Sequence, residues 1–136
     1  MLLVVGAAVA AGVLGSFTDW LFMGVLFHEA YHRYPEIWRP GIAAGSEKRA
    51  ILISSVIGAA MSFAIVGLCV MAHIAGITQG LLVALLAWIA GPLGLMLING
   101  LFIKLDGRII ASHAIGYLMR FAIAGIAAGL ALSTQP

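Results

Sequence analysis

The chain has 136 residues, of which 63% are hydrophobic and 9% are charged, and its formal net charge is +2. So few polar side chains cannot cover a water-soluble domain of this size, and the composition therefore predicts an integral membrane protein. A small net charge without a basic tract among aromatic residues gives nucleic-acid binding no support. The single cysteine, Cys69, excludes an intrachain disulfide and a cysteine metal cluster.

Four stretches are long and apolar enough to be membrane spans, since a span needs about 20 mainly apolar residues. The stretches are residues 2–27, 50–72, 77–103 and 109–132. The chain begins without the basic segment of a secretory signal, so we interpret the first stretch as a retained span. We predict an all-α fold in which residues 1–136 form a single integral membrane four-helix bundle, with a cytoplasmic loop at residues 28–49.

The basic residues of the connections predict the orientation of this bundle. They lie in the first and third connections and are Arg33, Arg39, Lys48, Arg49, Lys104 and Arg108. By the positive-inside rule both of these connections are cytoplasmic, so we expect both termini on the non-cytoplasmic side of the membrane.

The first connection also combines aromatic and basic residues. Tyr31, Tyr34 and Trp38 alternate there with Arg33 and Arg39. This pattern suits the headgroup layer, where aromatic rings anchor and arginines meet phosphates. We predict that these five residues form a membrane-interface anchor.

Two further signals mark the connections. Ser46 followed by Glu47 is typical of a helix start, because the serine can cap the helix and the acid complements its dipole. Between the second and third spans, residues 73–80 contain Gly76 and Gly80 and suit a short turn.

An acid and a base lie inside the predicted spans. Asp19 precedes the end of the first apolar stretch by eight residues, and Arg120 follows the start of the fourth by eleven. At 1.5 Å per residue both lie deep and at similar levels, roughly 12 and 17 Å from the same face. A lone charge at such depth is costly, so we predict that the two side chains pair.

Other polar residues recur with helical spacing around this pair. His113 and Arg120 are seven residues apart, with Tyr117 beside them, and Asn99 and Asp106 repeat this spacing on the third span. We expect an inward polar core made of Asp19, Asn99, His113, Tyr117 and Arg120. Such a core can fix the order of the helices, or it can bind a ligand or ion, and the residues alone leave both interpretations open.

Gly125 and Gly129 form a Gly-x-x-x-Gly pattern on the side of the fourth span opposite Arg120. Small residues at this spacing let two helix backbones approach closely. The partner helix can belong to the same chain or to a second copy, so a homo-oligomer through these two glycines is one of two interpretations.

The end of the first span contains a His-Glu-x-x-His match formed by His28, Glu29 and His32. On a continuous helix the two imidazoles could bind one zinc ion while Glu29 acts as the base. With Leu105-Asp106-Gly107 two spans later, this resembles the site-2 intramembrane metalloproteases. The resemblance implies zinc as cofactor, His28, His32 and Asp106 as its ligands, and Glu29 as the catalytic residue.

A second resemblance covers more of the chain. A first span ending in Asp-Trp-Leu-Phe-Met-Gly-Val-Leu-Phe, a Trp38-Arg39 exit and three further spans with Trp88 in the third resemble the bacterial family called domain of unknown function 1761. That family's tryptophan pattern would be filled by Trp20, Leu26, Phe27 and Trp38. The resemblance implies a four-span protein of a bacterial inner (cytoplasmic) membrane.

Helical geometry decides which function we favour. His28 lies nine residues beyond Asp19, about 180° around a straight helix, so the two side chains are expected on opposite faces. We therefore predict a non-enzymatic membrane protein that binds a small molecule, lipid or ion in its polar stripe, as a transporter or an accessory subunit. The alternative is an intramembrane zinc metallohydrolase.

Overall fold

The computed structural model describes residues 1–33 and 47–134, and these residues form helices without any strand. Four of the helices are long and apolar enough to cross a membrane, which confirms the predicted class of four-span helical protein. Their bounds are Leu2–Leu26, Glu47–Met71, Ile77–Phe102 and Gly107–Ser133. We call them the first to fourth spans. A short fifth helix, His28–His32, follows the first span.

The first span changes its winding part of the way along. It is α-helical over Leu2–Asp19 and π-helical over Trp20–Leu26, and it breaks at Phe27, which has a φ of −114°. In the π-helical turn the carbonyl of Phe22 accepts a hydrogen bond from the Phe27 amide at 3.0 Å. The same carbonyl accepts one from the hydroxyl of Ser112 on the fourth span at 3.4 Å. A partner from a neighbouring helix thus helps to satisfy this irregular turn.

The third span contains a second π-helical turn, Ile89–Leu93, between the α-helical segments Ile77–Trp88 and Gly94–Phe102. Pro92 lies inside this turn. Proline has no amide hydrogen to donate, and its ring clashes with the preceding turn of an α-helix, so wider winding accommodates it. The indole nitrogen of Trp88 donates to the carbonyl of Ala114 at 2.8 Å and ties this part of the third span to the fourth.

The turn between the second and third spans is shorter than the predicted one. The third span begins at Ile77, so the predicted turn residues from there to Gly80 are helical. Gly80 is used for packing: a Cβ built on it would collide with the carbonyl oxygen of Gly125. His73 closes the turn with a φ of +49°.

Close packing of the third and fourth spans explains the Gly-x-x-x-Gly pattern. A Cβ on Gly125 would collide with the backbone of Gly80, and a Cβ on Gly129 would lie 2.6 Å from the Cα of Ile77. Both glycines are buried against the same chain. The intramolecular interpretation is therefore the one seen, and these glycines are not free to meet a second copy.

The start of the fourth span is fixed by Asp106. One carboxylate oxygen accepts a hydrogen bond from the amide of Arg108 at 2.8 Å and so caps the helix. The other lies 3.1 Å from the guanidinium of Arg33. This contact brings the first and third connections together at one end of the bundle.

Candidate functional site

The predicted ion pair between Asp19 and Arg120 is present at the centre of the first, second and fourth spans. A terminal guanidinium nitrogen of Arg120 lies 2.7 Å from one Asp19 oxygen, and its Nε donates to the other at 3.4 Å. Arg120 is 0% exposed, whereas the Asp19 side chain is 22% exposed. The arginine is thus fully enclosed, and the carboxylate is the member of the pair that reaches an open space.

Serine hydroxyls take up the remaining donors of Arg120. Ser62 accepts from Nη1 at 3.1 Å, and Ser16 accepts from Nη2 at 3.5 Å. Ser16 in turn donates to the carbonyl of Gly12 at 3.0 Å. The buried charge therefore has hydrogen-bond partners on the first and second spans, as a charge removed from water requires.

Two glycines make room for the guanidinium. A Cβ on Gly15 of the first span would lie 2.9 Å from Nη1, and one on Gly58 of the second span would lie 2.6 Å from Nη2. Because Arg120 has no exposed surface to move into, either methyl group would displace it from Asp19. The sequence places these glycines on two different spans, so only the fold brings them to one guanidinium.

A cavity of about 650 Å³ adjoins the ion pair. It extends from the level of Asp19 and Met61 to the end of the bundle, where His28, His32 and Glu47 lie. Its lining is mainly apolar, with polar groups at intervals. The lining side chains include Ser16, Asp19, Trp20, Met23, Tyr31, Ser54, Ser55, Ile57, Met61, His113 and Tyr117.

Two large side chains of the cavity lining are themselves largely exposed. Trp20 of the first span and Ile57 of the second span both line the cavity and are 58% and 56% exposed. Neither side chain therefore encloses the cavity on this side.

Three aromatic rings lie in a row along the cavity wall, one from the short helix His28–His32 and two from the fourth span. The rings of Tyr31 and His113 are 5.9 Å apart edge to face, and those of His113 and Tyr117 are 5.9 Å apart and stacked. The Tyr31 hydroxyl lies 3.2 Å from that of Ser112. Burial raises the pKa of Tyr31 above its ordinary value, and the Ser112 hydrogen bond opposes this, so the phenol stays protonated at neutral pH.

His113, a residue of the predicted polar core, lines the cavity and has one ring nitrogen without a partner. Its Nδ1 is buried and has no hydrogen-bond partner among the described residues. Buried polar atoms without a partner are uncommon in folded proteins. Because Nδ1 has no accessible surface, a molecule in the cavity would reach it only after a turn of the His113 ring.

The predicted separation of Asp19 from His28 was wrong, because both residues line the same cavity. A straight α-helix turns 100° per residue and would place Asp19 and His28 on opposite faces. The π-helical turn from Trp20 fits more residues into each turn, and the break at Phe27 redirects the short helix that follows. These two irregularities bring His28 round to the side of Asp19.

The two histidines of the His-Glu-x-x-His match are in contact. Their Nε2 atoms are 3.0 Å apart, so one nitrogen donates and the other accepts. Glu29 is exposed and does not line the cavity. Asp106, the third zinc ligand implied by the resemblance, is instead engaged by Arg33 and by the helix start. Within residues 1–33 and 47–134 no three metal-binding side chains come together.

Other predicted residues take different places. Asn99 is exposed, so it does not belong to the polar core around Arg120. Tyr31 lines the cavity and contacts Ser112, and Arg33 pairs with Asp106. The other anchor residues lie outside the described residues: Tyr34, Trp38 and Arg39.

Sequence reasoning missed the contribution of the second span to the cavity. Glu47, Ser54 and Ser55 line it. The serine hydroxyls both donate to the carbonyl of Ile51, which leaves their lone pairs for other contacts. Ser54-Ser55 is a polar pair within an apolar stretch, and this signal could have identified that face.

The chain was compared with known protein families, curated proteins and solved structures. The chain matches no protein-family model, no curated protein and no solved structure.

Proposed function

We propose that this protein binds a small amphipathic molecule in the cavity between its first and second spans, and that it acts as a transporter or accessory subunit without enzymatic activity. One observation carries the proposal. A cavity of about 650 Å³ is lined by Asp19, whose side chain is 22% exposed and is held by Arg120.

The size and lining of the cavity support this function. Binding sites for small molecules have volumes of roughly 300–1,000 Å³ and combine apolar walls with a few placed polar groups. Here Met23, Ile57 and Met61 provide apolar wall, while Asp19 and His113 provide polar atoms. An amphipathic molecule matches such a lining, because its apolar body and its polar end each meet a suitable surface.

The partial exposure of the ion pair argues against a purely structural role. A pair that only fixed the helix order would be best enclosed on both sides, since each exposed charge in a membrane is costly. Arg120 is enclosed by Gly15 and Gly58, but Asp19 is left open on the cavity side. A ligand that occupies the cavity would complete the contacts of this carboxylate.

We also propose that the cavity mouth lies at the cytoplasmic side of a bacterial inner membrane, with both termini outside. The Arg33–Asp106 contact supports this orientation, because it brings the first and third connections to one end of the bundle. Lys48, Arg49 and Arg108 start helices at the same end. Positive charge concentrated at one end marks the cytoplasmic face.

Native mass spectrometry of the purified protein tests the binding function. We expect a small molecule to remain bound after purification in a mild detergent. Ser55→Phe should remove it, because Ser55 lines the cavity and the added ring fills part of the space. Val56→Phe is the matched control, since Val56 is the next residue, is 64% exposed and lies outside the lining.

The two variants make the outcome decisive. Loss of the bound mass in Ser55→Phe and its retention in Val56→Phe would support the cavity as the binding site. Equal occupancy in both variants, or no bound molecule in the unmodified protein, would contradict the proposal. Circular dichroism of each variant shows that the helices are intact.

A zinc hydrolase is the second candidate, favoured by the 3.0 Å separation of the two Nε2 atoms of His28 and His32. Two nitrogens that bind one zinc ion at about 2.0–2.1 Å lie at a similar separation. The third ligand is the weak point, because Asp106 is held elsewhere. Stoichiometric zinc that disappears in His32→Ala would favour this candidate, and metal-free protein after gentle purification would rule it out.

A further inference from the structure

The charged groups around the cavity are unevenly distributed. Asp19 and Glu47 both line it, whereas no lysine or arginine is among the described residues of its lining. Arg120 is adjacent but fully enclosed behind Asp19. Within residues 1–33 and 47–134, the charged lining groups that a bound molecule would meet are therefore carboxylates.

The Asp19–Arg120 pair has no net charge, but its negative member is nearer to the cavity than its positive member. Arg120 holds both carboxylate oxygens from the side of the bundle, and the carboxylate lies between the guanidinium and the cavity. Coulomb energies fall with distance, so a charge inside the cavity feels the nearer carboxylate more strongly than the guanidinium behind it. The pair therefore presents a negative end to the cavity.

The aromatic lining favours the same sign of charge. Trp20, Tyr31 and Tyr117 all contribute to the wall. The face of an aromatic ring is negative and attracts an ammonium group, and several rings around one site are a recurrent way to hold organic cations. The ring of Tyr117 stacks on that of His113, which places it in the row that starts at Tyr31.

The two histidines at the bundle end of the cavity, His28 and His32, do not reverse its preference for a positive charge. Because their Nε2 atoms are 3.0 Å apart and share a hydrogen bond, His28 and His32 carry at most one positive charge as a pair in this geometry. Glu47 lines the same end of the cavity and offsets it. Among the described residues that line this end, the charge of the histidine pair is therefore offset, while Lys48 and Arg49 lie nearby but outside the lining.

We propose that the occupant is a lipophilic organic ammonium, with its charged end beside Asp19 and Tyr117 and its apolar body between the first and second spans. This inference rests on the proposed binding function and names the class of ligand. The chemistry is the same for a free lipophilic amine and for the ethanolamine headgroup of a phospholipid.

Three probes that share a similar alkyl chain and differ in headgroup charge separate the contribution of charge to binding from the apolar contribution. They are decylammonium, decanol and decanoate. Each is titrated into the protein in phosphatidylglycerol nanodiscs, with empty nanodiscs as the reference, and binding is followed by the fluorescence of Trp20. Trp20→Phe identifies the signal from the cavity. We expect decylammonium to bind about tenfold more tightly than decanol and decanoate to bind most weakly.

Three variants at two positions locate the preference. Glu47→Gln should weaken the binding of decylammonium severalfold and leave decanol unchanged. Tyr117→Leu should weaken decylammonium binding, whereas Tyr117→Phe, which keeps the ring, should not. These comparisons do not require a change to Asp19, whose loss threatens the fold.

The outcomes distinguish this inference from the function beneath it. Equal binding of the three probes would overturn the ammonium assignment and leave a cavity that binds amphipathic molecules. No binding of any probe would overturn both. If added phosphatidylethanolamine competes with decylammonium, the ammonium comes from a lipid headgroup, and if it does not compete, the ligand is a free amine.

Discussion

The fourth span makes two contrasting contacts. Toward the third span, Gly125 and Gly129 let the backbones approach until a Cβ would collide with the neighbouring chain. Toward the first and second spans, the bulky side chain of Arg120 lies between the helices and is satisfied by Asp19, Ser16 and Ser62. One contact is closed by the absence of side chains, and the other is built around a charged one that Gly15 and Gly58 accommodate.

This difference explains where the cavity lies. Helices that meet backbone to backbone leave no volume for a ligand, so their contact serves stability. The cavity of about 650 Å³ lies on the other side of the fourth span, where it begins at Asp19 beside the enclosed guanidinium. A buried ion pair is weak evidence for stability, because desolvation offsets much of the attraction. Its position at a cavity is the feature on which the proposed ligand binding depends.

The largest expected effect comes from breaking the ion pair. Asp19→Asn leaves Arg120 as an uncompensated buried charge, and we expect the free energy of unfolding to fall by about 3–5 kcal/mol. Asp19→Asn with Arg120→Gln removes both charges and should restore part of the loss. Denaturant unfolding followed by circular dichroism measures the cycle, and additive losses would contradict direct pairing.

The close packing of the third and fourth spans should be destabilised by the addition of a single methyl group. Gly125→Ala places a methyl group against the backbone of Gly80, and we expect a cost of about 1–3 kcal/mol in the free energy of unfolding. Gly67→Ala is the matched control, because a Cβ there meets nothing within 4 Å. Equal stability of the two variants in the same unfolding assay would show that the close approach is not needed.

A smaller effect is expected where the connections meet. Asp106→Ala removes the cap of the fourth span and should cost about 1 kcal/mol of unfolding free energy. Arg33→Ala removes only the ion pair to Asp106, and the Arg33 side chain is 52% exposed, so its loss should be smaller. If the two variants lose the same stability, the ion pair and not the cap is the important contact.

Glu47→Gln should have the smallest effect on stability. Glu47 lies in the first turn of the second span, where an acid complements the helix dipole, so we expect a loss of about 0.5 kcal/mol. The same variant is expected to weaken decylammonium binding severalfold. A large loss of stability, measured by thermal unfolding in detergent, would make Glu47 a structural residue and not a ligand contact.

Much of the architecture follows from the sequence. Apolar stretches of sufficient length indicate four spans, and the depths of Asp19 and Arg120 predict that the two meet. Both inferences rely on length along the helix axis, which the rise per residue determines well.

The details of the site depend on rotation about the helix axis, and here the sequence was less informative. A π-helical turn at Trp20–Leu26 changes the face on which later residues lie, and it is supported by a hydroxyl from Ser112 on a distant span. No local pattern in the first span reveals that partner. Likewise, Gly80 suits a turn by composition, and only the approach of Gly125 shows its use in packing.

An experimental structure of the protein in a lipidic environment tests the proposed ligand site most directly. We expect the first and second spans to stand apart at Trp20 and Ile57, with elongated density between them that ends within hydrogen-bond distance of the Asp19 carboxylate. Trp20 and Ile57 in van der Waals contact, with Asp19 enclosed as fully as Arg120, would contradict the existence of a ligand site.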